Sequence, residues 1–371
     1  MRLVKLAGIL LASLALASCG GEQKLKFGVA GPLTQKDAVF GQQLKQGVEQ
    51  AVLDINAAGG LLGQPIELVV GDDAGAPTQG RSVANTFVGE GVSFVIGHFN
   101  SGVTEPASDV YAENGILMIT PGSTNPKITD RGLTTVFRVC GRDDQQGRIA
   151  GEYIAANFKD KKIAVAHDKT TYGKGLADET KKGMNALGVQ EVLYEGINSG
   201  ERDFSALVSK IKESGADVVY WGGVHSEGGM ILRQMREGGV TAVMMGGDGI
   251  ATAEFARLGG PGTEGTLMTF GPDPQKRPEA QEVIEKFKAR NFMPEAYTLY
   301  SYAAVQVIAE AAKAINSLDP VKVAAELHTG KTYKTVIGDL SFDAKGDVTR
   351  IDYVMYTWRK QPDGSITYVQ D

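Results

Sequence analysis

Cysteine is nearly absent: Cys19 and Cys140 are the only two in 371 residues. Cys19 falls in an N-terminal targeting-type segment, so no internal disulfide is expected in the folded part. Histidine is also sparse. His98, His167, His225 and His328 are scattered with no H-x-x-x-H or Cys/His spacing, which argues against a metal centre. No glycines form a strand-linked G-x-G-x-x-G, and no G-x-x-x-x-G-K-S/T occurs, so a dinucleotide or ATP would lack its phosphate cradle. Neither cofactor nor metal is therefore expected. Basic charge is not in excess: 38 Lys and Arg stand against 44 Asp and Glu, a net charge of −6. No basic stripe with interleaved aromatics appears, which excludes nucleic acid as the expected partner. Beyond the N-terminal segment, no apolar run approaches the roughly 20 residues that span a bilayer.

What is present is ordinary for a globular protein: 42% hydrophobic and 22% charged residues. The length allows two domains and a large core. The first residues, MRLVKLAGILLASLALASCGG, decide the compartment. Arg2 and Lys5 form a positive start, Leu6 to Leu16 an apolar stretch too short to span a membrane, and Leu16-Ala17-Ser18-Cys19 the end. This resembles the lipobox of bacterial lipoproteins, with a signal peptide over 1–18 and Cys19 as the lipidated first residue of a tether over 19–24. A plain secretory signal is the other reading. The expected product is an exported bacterial lipoprotein on the periplasmic or cell-surface side, held at the membrane through its lipid alone.

From Leu25 the pattern alternates strand and helix. Strands are expected at 26–30, 66–70, 94–96, 117–119, 136–139, 163–166, 189–194, 218–221 and 242–245. Helices are expected at 40–58, 77–90, 145–158, 176–187, 204–214, 230–237 and 297–315, with one opening near Thr104 after a loop over 97–103. Such βαβ alternation implies an α/β protein with doubly wound parallel sheets. Two runs of it suggest two lobes, 25–140 plus 272–345 and 141–271 plus 346–371, with chain crossings near 137–142, 269–274 and 338–346. The stretch from Phe94 to Pro126 carries most information. Its two short apolar strands each run into loops of Gly, Ser, Thr and Asn, including Ser101, Gly122, Ser123 and Thr124. Loops at the carboxyl ends of neighbouring parallel strands are where such folds bind ligands. Their backbone N–H groups and hydroxyls suit a small carboxylate. Cys140, in VFRVCGR, reads as a structural thiol. No nucleophile–base pair is recognisable, so no enzyme is expected.

The chain resembles the periplasmic leucine/isoleucine/valine-binding proteins, the solute receptors of ABC importers. The matching stretches include AVLDINAAGG (51–60), FVIGH (94–98), EPASDVYAENGILMITP (105–121), HDKTTYGKGLA (167–177), VVYWGG (218–223) and FDAKGDV (342–348). The resemblance implies two lobes of the type I periplasmic binding fold joined by three crossings, and a monomer that presents a small neutral amino acid to a membrane permease after hinge closure. It implies that Ser101 and Thr124 bind the ligand carboxylate, that the Gly122 carbonyl accepts from the ammonium, and that Asp248 and Tyr172 reach it from the second lobe. Phe40, Phe99, Asn100, Ser123, Val224 and Tyr297 fall at side-chain-pocket positions.

The departures from the family pattern bear on specificity. The disulfide common in the family, between the loops at Gly75 and Asn100, has no cysteine at either position. Phe99 stands where Leu is common, Asp248 where Glu is usual, and Val224 where Tyr is frequent. Smaller ligands such as alanine, proline or γ-aminobutyrate are expected alongside the branched-chain class. A sensory receptor on the same fold is the rival expectation, and a cleft enzyme such as an amidase a weaker one.

Overall fold

The computed structural model describes residues 25–350 and 353–371, so the Cys19 segment lies outside the described residues. The chain first builds β1 (Leu25–Gly31), α1 (Ala38–Ala57), β2 (Ile66–Asp72), α2 (Pro77–Glu90), β3 (Phe94–Ile96), α3 (Ser101–Glu113), β4 (Leu117–Thr120), α4 (Lys127–Asp130) and β5 (Val136–Arg138). These strands form one parallel sheet in the order β2-β1-β3-β4-β5. The run then repeats with α5 (Asp143–Asn157), β6 (Ile163–His167), α6 (Thr171–Ala186), β7 (Glu191–Gly196), α7 (Ser205–Ser214), β8 (Val218–Gly222), α8 (His225–Glu237), β9 (Val243–Gly246), α9 (Ala253–Gly259) and β10 (Leu267–Phe270). Helices α10 (Gln281–Ala289), α11 (Ala296–Ile315) and α12 (Pro320–Leu327) return to the first lobe, where α11 packs along α1. Strands β11 (Val354–Lys360) and β12 (Ile366–Gln370) complete the second sheet, ordered β12-β11-β10-β9-β8-β6-β7.

The second sheet is not wholly parallel. Strand β11 pairs antiparallel with both β10 and β12, an arrangement that the βαβ alternation does not announce. A short Pro-Asp-Gly turn after β11 accounts for its pairing with β12, since a two-stranded hairpin needs no crossover helix. The rest follows from burial. Central strands such as LMIT (β4) and VVYWG (β8) are buried at every position, as strands covered on both faces are.

The segments between the lobes are tied together by charge. Arg138 Nε donates to Asp347 Oδ1 at 2.6 Å and Arg142 Nη1 to Asp347 Oδ2 at 2.7 Å, all three residues being buried. Arg138 Nη1 also donates to the carbonyls of Ser123 and Asn125, at 2.8 and 3.1 Å. The crossing is thereby fastened to the loop after β4. Gly346 and Asp347 lie against β5, and the chain reaches the second sheet again at Val354.

Candidate functional site

Both lobes repeat one plan. Read from β2 to β5, and from β7 to β10, each sheet has its first strand flanked by the second and third. Connections then leave in opposite directions at β1/β3 and at β6/β8, and the carboxyl ends of those strands form a crevice. The two crevices face each other. A cavity of about 290 Å³ lies between them, lined by Lys36, Asp37 and Phe99–Val103 on one side and by Asp168–Tyr172, Val224 and Asp248 on the other.

One wall is the N-terminus of α3. The helix begins at Ser101 rather than near Thr104, because the amides of Val103 and Thr104 already bond back to Asn100 O at 2.9 Å. The first amides of a helix have no intrahelical partner and carry the positive end of its dipole, so this end of the cavity suits an anion. Ser101 is buried, and its Oγ accepts from Asn125 N at 3.3 Å. The start of α6 faces it: Asn125 Nδ2 donates to Thr171 O at 2.8 Å across the cleft.

The opposite end is anionic. Asp248, just after β9, is buried and accepts from Tyr172 Oη and Tyr297 Oη, each at 2.8 Å. Gly249 N in turn donates to Tyr172 Oη at 2.8 Å. Burial pushes the Asp248 carboxyl above its usual range, and the bonds from Tyr297, Tyr172 and Gln146 oppose the shift. Neighbouring Asp143 is held well above the carboxylate range, by burial and then by the charge of Asp248, with the Thr124 hydroxyl opposing. An uncompensated carboxylate in such a place favours a cationic visitor.

The apolar wall is aromatic. Phe99 stacks on Phe40 with ring centroids 4.2 Å apart and meets Tyr297 edge-on at 5.0 Å. Phe40 is backed by His225 at 5.0 Å. Gly122 permits this packing, for a Cβ there would lie 2.7 Å from the Phe99 ring.

Of the residues singled out from sequence, Phe99, Asn100, Ser101, Gly122, Tyr172, Val224, Asp248 and Tyr297 line the cavity. Phe40, Ser123 and Thr124 sit behind its wall. Ser123 Oγ donates to the carbonyls of Phe99 and His98, at 2.8 and 3.1 Å, and so shapes the loop after β3. Where the family has a disulfide, Asn100 Nδ2 donates instead to Asp37 Oδ2 at 3.0 Å. Cys140 is buried and unpaired by disulfide, its thiol shifted upward by burial, in keeping with a structural role. Sequence reading missed Lys36, Asp37, Asp168, Thr170 and Ser199, which also line the cavity. Their only signal was position, just after β1, β6 and β7. Among the described residues no His, Cys, Asp and Glu cluster suits a metal, and no helix is long and apolar enough to cross a membrane.

Comparison with known proteins agrees with this fold. A sequence model described as periplasmic binding protein matches residues 24–363. The Leu/Ile/Val-binding protein homolog 1 of Brucella melitensis is 54% identical over 370 residues, 100% of both chains. An amino acid binding protein of Pseudomonas aeruginosa is 54% identical over 334 residues, 89% of each chain. A leucine binding protein from Thermotoga maritima superposes with a TM-score of 0.85 at 28% identity, covering 93% of this chain and 97% of that one. The branched-chain amino acid transporter substrate binding protein of Streptococcus pneumoniae, solved with isoleucine, gives 0.83 at 25% identity, covering 94% and 100%.

Proposed function

The chain belongs to the periplasmic binding protein family, a family of receptors and not of enzymes, and from that premise we propose that it captures a small neutral amino acid for an ABC importer. The observation that carries the reading is the polarity of the cavity. A helix N-terminus with Ser101 stands at one side, and the doubly hydrogen-bonded carboxylate of Asp248 at the other. A zwitterion satisfies both. In this reading Ser101 and the first amides of α3 take the ligand carboxylate, assisted by Thr124, and the Gly122 carbonyl takes one ammonium proton. Asp248 takes the charge of the ammonium, and Tyr172 and Tyr297 fix its carboxylate.

Closure of the lobes completes the site, since Asp248 and Tyr172 belong to the second lobe while Ser101 and Tyr297 belong to the first. A ligand that touches both favours the closed arrangement through its extra contacts there. The aromatic wall decides size. In this reading Phe99 narrows the wall beside the ligand side chain, which favours alanine, proline or γ-aminobutyrate over the larger branched-chain ligands. The relatives that carry leucine or isoleucine in their names and complexes support the class of ligand.

Calorimetric titration with the common amino acids and γ-aminobutyrate tests the reading. At least one small neutral amino acid is expected to bind with 1:1 stoichiometry and no turnover; heat from none of them would sink it. A Phe99→Leu variant is expected to gain affinity for leucine, and an unchanged affinity would remove the narrowed-wall argument. Export and anchoring through lipid on Cys19 form part of the same proposal. Mass spectrometry of the mature N-terminus from membranes tests this part, an unmodified terminus counting against it.

A further inference from the structure

The cavity has a second polar end that recognition of the amino-acid backbone leaves unused. Lys36 and Asp37 enter it from the loop after β1, Asn100 from the start of α3, and Asp168 from the loop after β6. Lys36 is engaged: its Nζ lies 2.6 Å from Glu227 Oε1. Three acceptor oxygens are not. Asp37 Oδ1, Asn100 Oδ1 and Asp168 Oδ2 are buried with no hydrogen-bond partner among the described residues. Asp37 is only 4% exposed and Asp168 only 1%.

The two carboxylates are nevertheless fixed in place by their other oxygens. Asp37 Oδ2 accepts from Asn100 Nδ2 at 3.0 Å, and Asp168 Oδ1 accepts from Thr170 N at 3.0 Å and Thr170 Oγ1 at 2.6 Å. Each is therefore a positioned side chain with one acceptor left over. Buried polar groups are nearly always paired, and an orphaned acceptor is costly. All three orphans call for a donor; Lys36 acts on Asp37 and Asp168 through its charge alone, its Nζ being bonded to Glu227. A hydrocarbon ligand would leave them unmet. A ligand that brings its own donor would satisfy them.

We propose that this end of the cavity, formed by Asp37, Asn100 and Asp168, is a donor-reading subsite. The preferred ligand is then a small amino acid whose side chain ends in a hydroxyl, amide or ammonium group. The inference rests on the amino-acid reading above, and it puts donor-bearing side chains, cationic ones included, ahead of the hydrocarbon candidates named there. It also gives the acidic loops after β1 and β6 a common purpose: one from each lobe, they meet on the ligand only when the lobes are together.

Matched ligands separate the two readings. The purified folded chain is titrated calorimetrically with three pairs of similar shape: threonine and valine, asparagine and leucine, ornithine and norleucine. In at least one pair the donor-bearing member is expected to bind ~10-fold or more tightly, because a site built for hydrogen bonds rejects the analogue lacking them. Asp37→Asn and Asp168→Asn each keep one acceptor oxygen for the existing bond and turn the other into a donor. Either variant is expected to shrink the preference to below about threefold. Equal or better binding of the hydrocarbon member in all three pairs overturns the subsite and leaves the receptor reading standing. A preference that survives in both variants also overturns it. Absence of binding by every amino acid removes both readings. The comparison on the unmodified chain stands by itself if a variant does not fold.

Discussion

Asp248 concentrates the chemistry of the site in one side chain. It sits buried between two phenols, 76 and 49 residues away in sequence, with its carboxyl shifted upward by burial. Asp248→Asn is expected to weaken amino-acid binding by about 2–5 kcal/mol, the range for breaking a buried charge pair. The sign for stability is opposite. A carboxyl raised in the folded state is a burden above its unfolded value, so the ligand-free Asn variant should melt no lower than the parent at neutral pH. Calorimetry and a melting curve on the same sample check both halves; a lower melting point would show a structural role instead. His225 gives a pH dependence. It is 1% exposed, and burial pushes its imidazole down to about 4. Above the ordinary value both states are neutral and nothing is lost. As pH falls below it the unfolded chain takes the proton first, and stability drops until the folded imidazole titrates. His225→Phe is expected to remove roughly 3 kcal/mol of that drop between about pH 6.5 and 4, at 1.36 kcal/mol per pKa unit. Urea melts at several pH values on both proteins decide it; parallel curves would mean that His225 does not contribute.

Three cleft helices start earlier than their apolar periodicity indicates. Helix α3 begins at Ser101, α6 at Thr171 and α8 at His225, against expected starts near Thr104, Leu176 and Met230. Their first turns are polar and glycine-rich: those of α3 and α6 line the cleft, and that of α8 packs through Gly228 and Gly229 against Trp221, Phe255 and Leu258. Periodicity reports only the part of a helix that packs. The caps settle the rest: Thr170 accepts from Gly173 N at 2.9 Å, which fixes the start of α6 one turn before its first buried leucine. Elsewhere the elements follow the sequence closely, as α2 over Pro77–Glu90 does between its N-terminal proline and Gly91 at positive φ. The close contact of α1 with α11 is set by Gly47, where a Cβ would come 2.2 Å from Thr298 O. Gly47→Ala is therefore expected to destabilise the first lobe by about 1–3 kcal/mol, the usual cost of overpacking. A urea midpoint equal to that of the parent would show that α11 can shift without cost.

At the scale of the whole molecule, the lobes touch through a few polar and aromatic contacts around the cavity. Lys36 Nζ meets Glu227 Oε1 at 2.6 Å, Asn125 reaches Thr171 O at 2.8 Å, and Phe40 meets the His225 ring at 5.0 Å. Glu227 is buried, and the attraction of Lys36 helps hold its carboxyl below the ordinary range against the effect of burial. Under the proposed hinge closure, Lys36→Met leaves that carboxylate without its cation in the closed arrangement only, so the open one gains. Because Lys36 keeps partial contact with water, the expected loss of affinity is modest, about threefold to tenfold, and falls mainly on the dissociation rate. Small-angle scattering should show a larger radius for the ligand-free variant; identical radii and rates in both proteins would rule out a closing role for this pair.

The sequence by itself determined the alternation of strand and helix, and hence an α/β protein whose hydroxyl-rich loops lie at strand ends. It also named Ser101, Gly122, Tyr172 and Asp248 through local patterns and resemblance. Those features are local: burial of a strand, capping of a helix, a glycine before a bulky ring. Only the tertiary structure decided which loops meet. Lys36 and Glu227 are 191 residues apart, and nothing in the periodicity of either segment links them. The strand order on each sheet brings the loops after β1 and β3 to one crevice and those after β6 and β8 to the other. The polar residues of a cleft pack against no core and so leave no hydrophobic pattern to read. Their partnership exists only once two sheets have folded and come face to face.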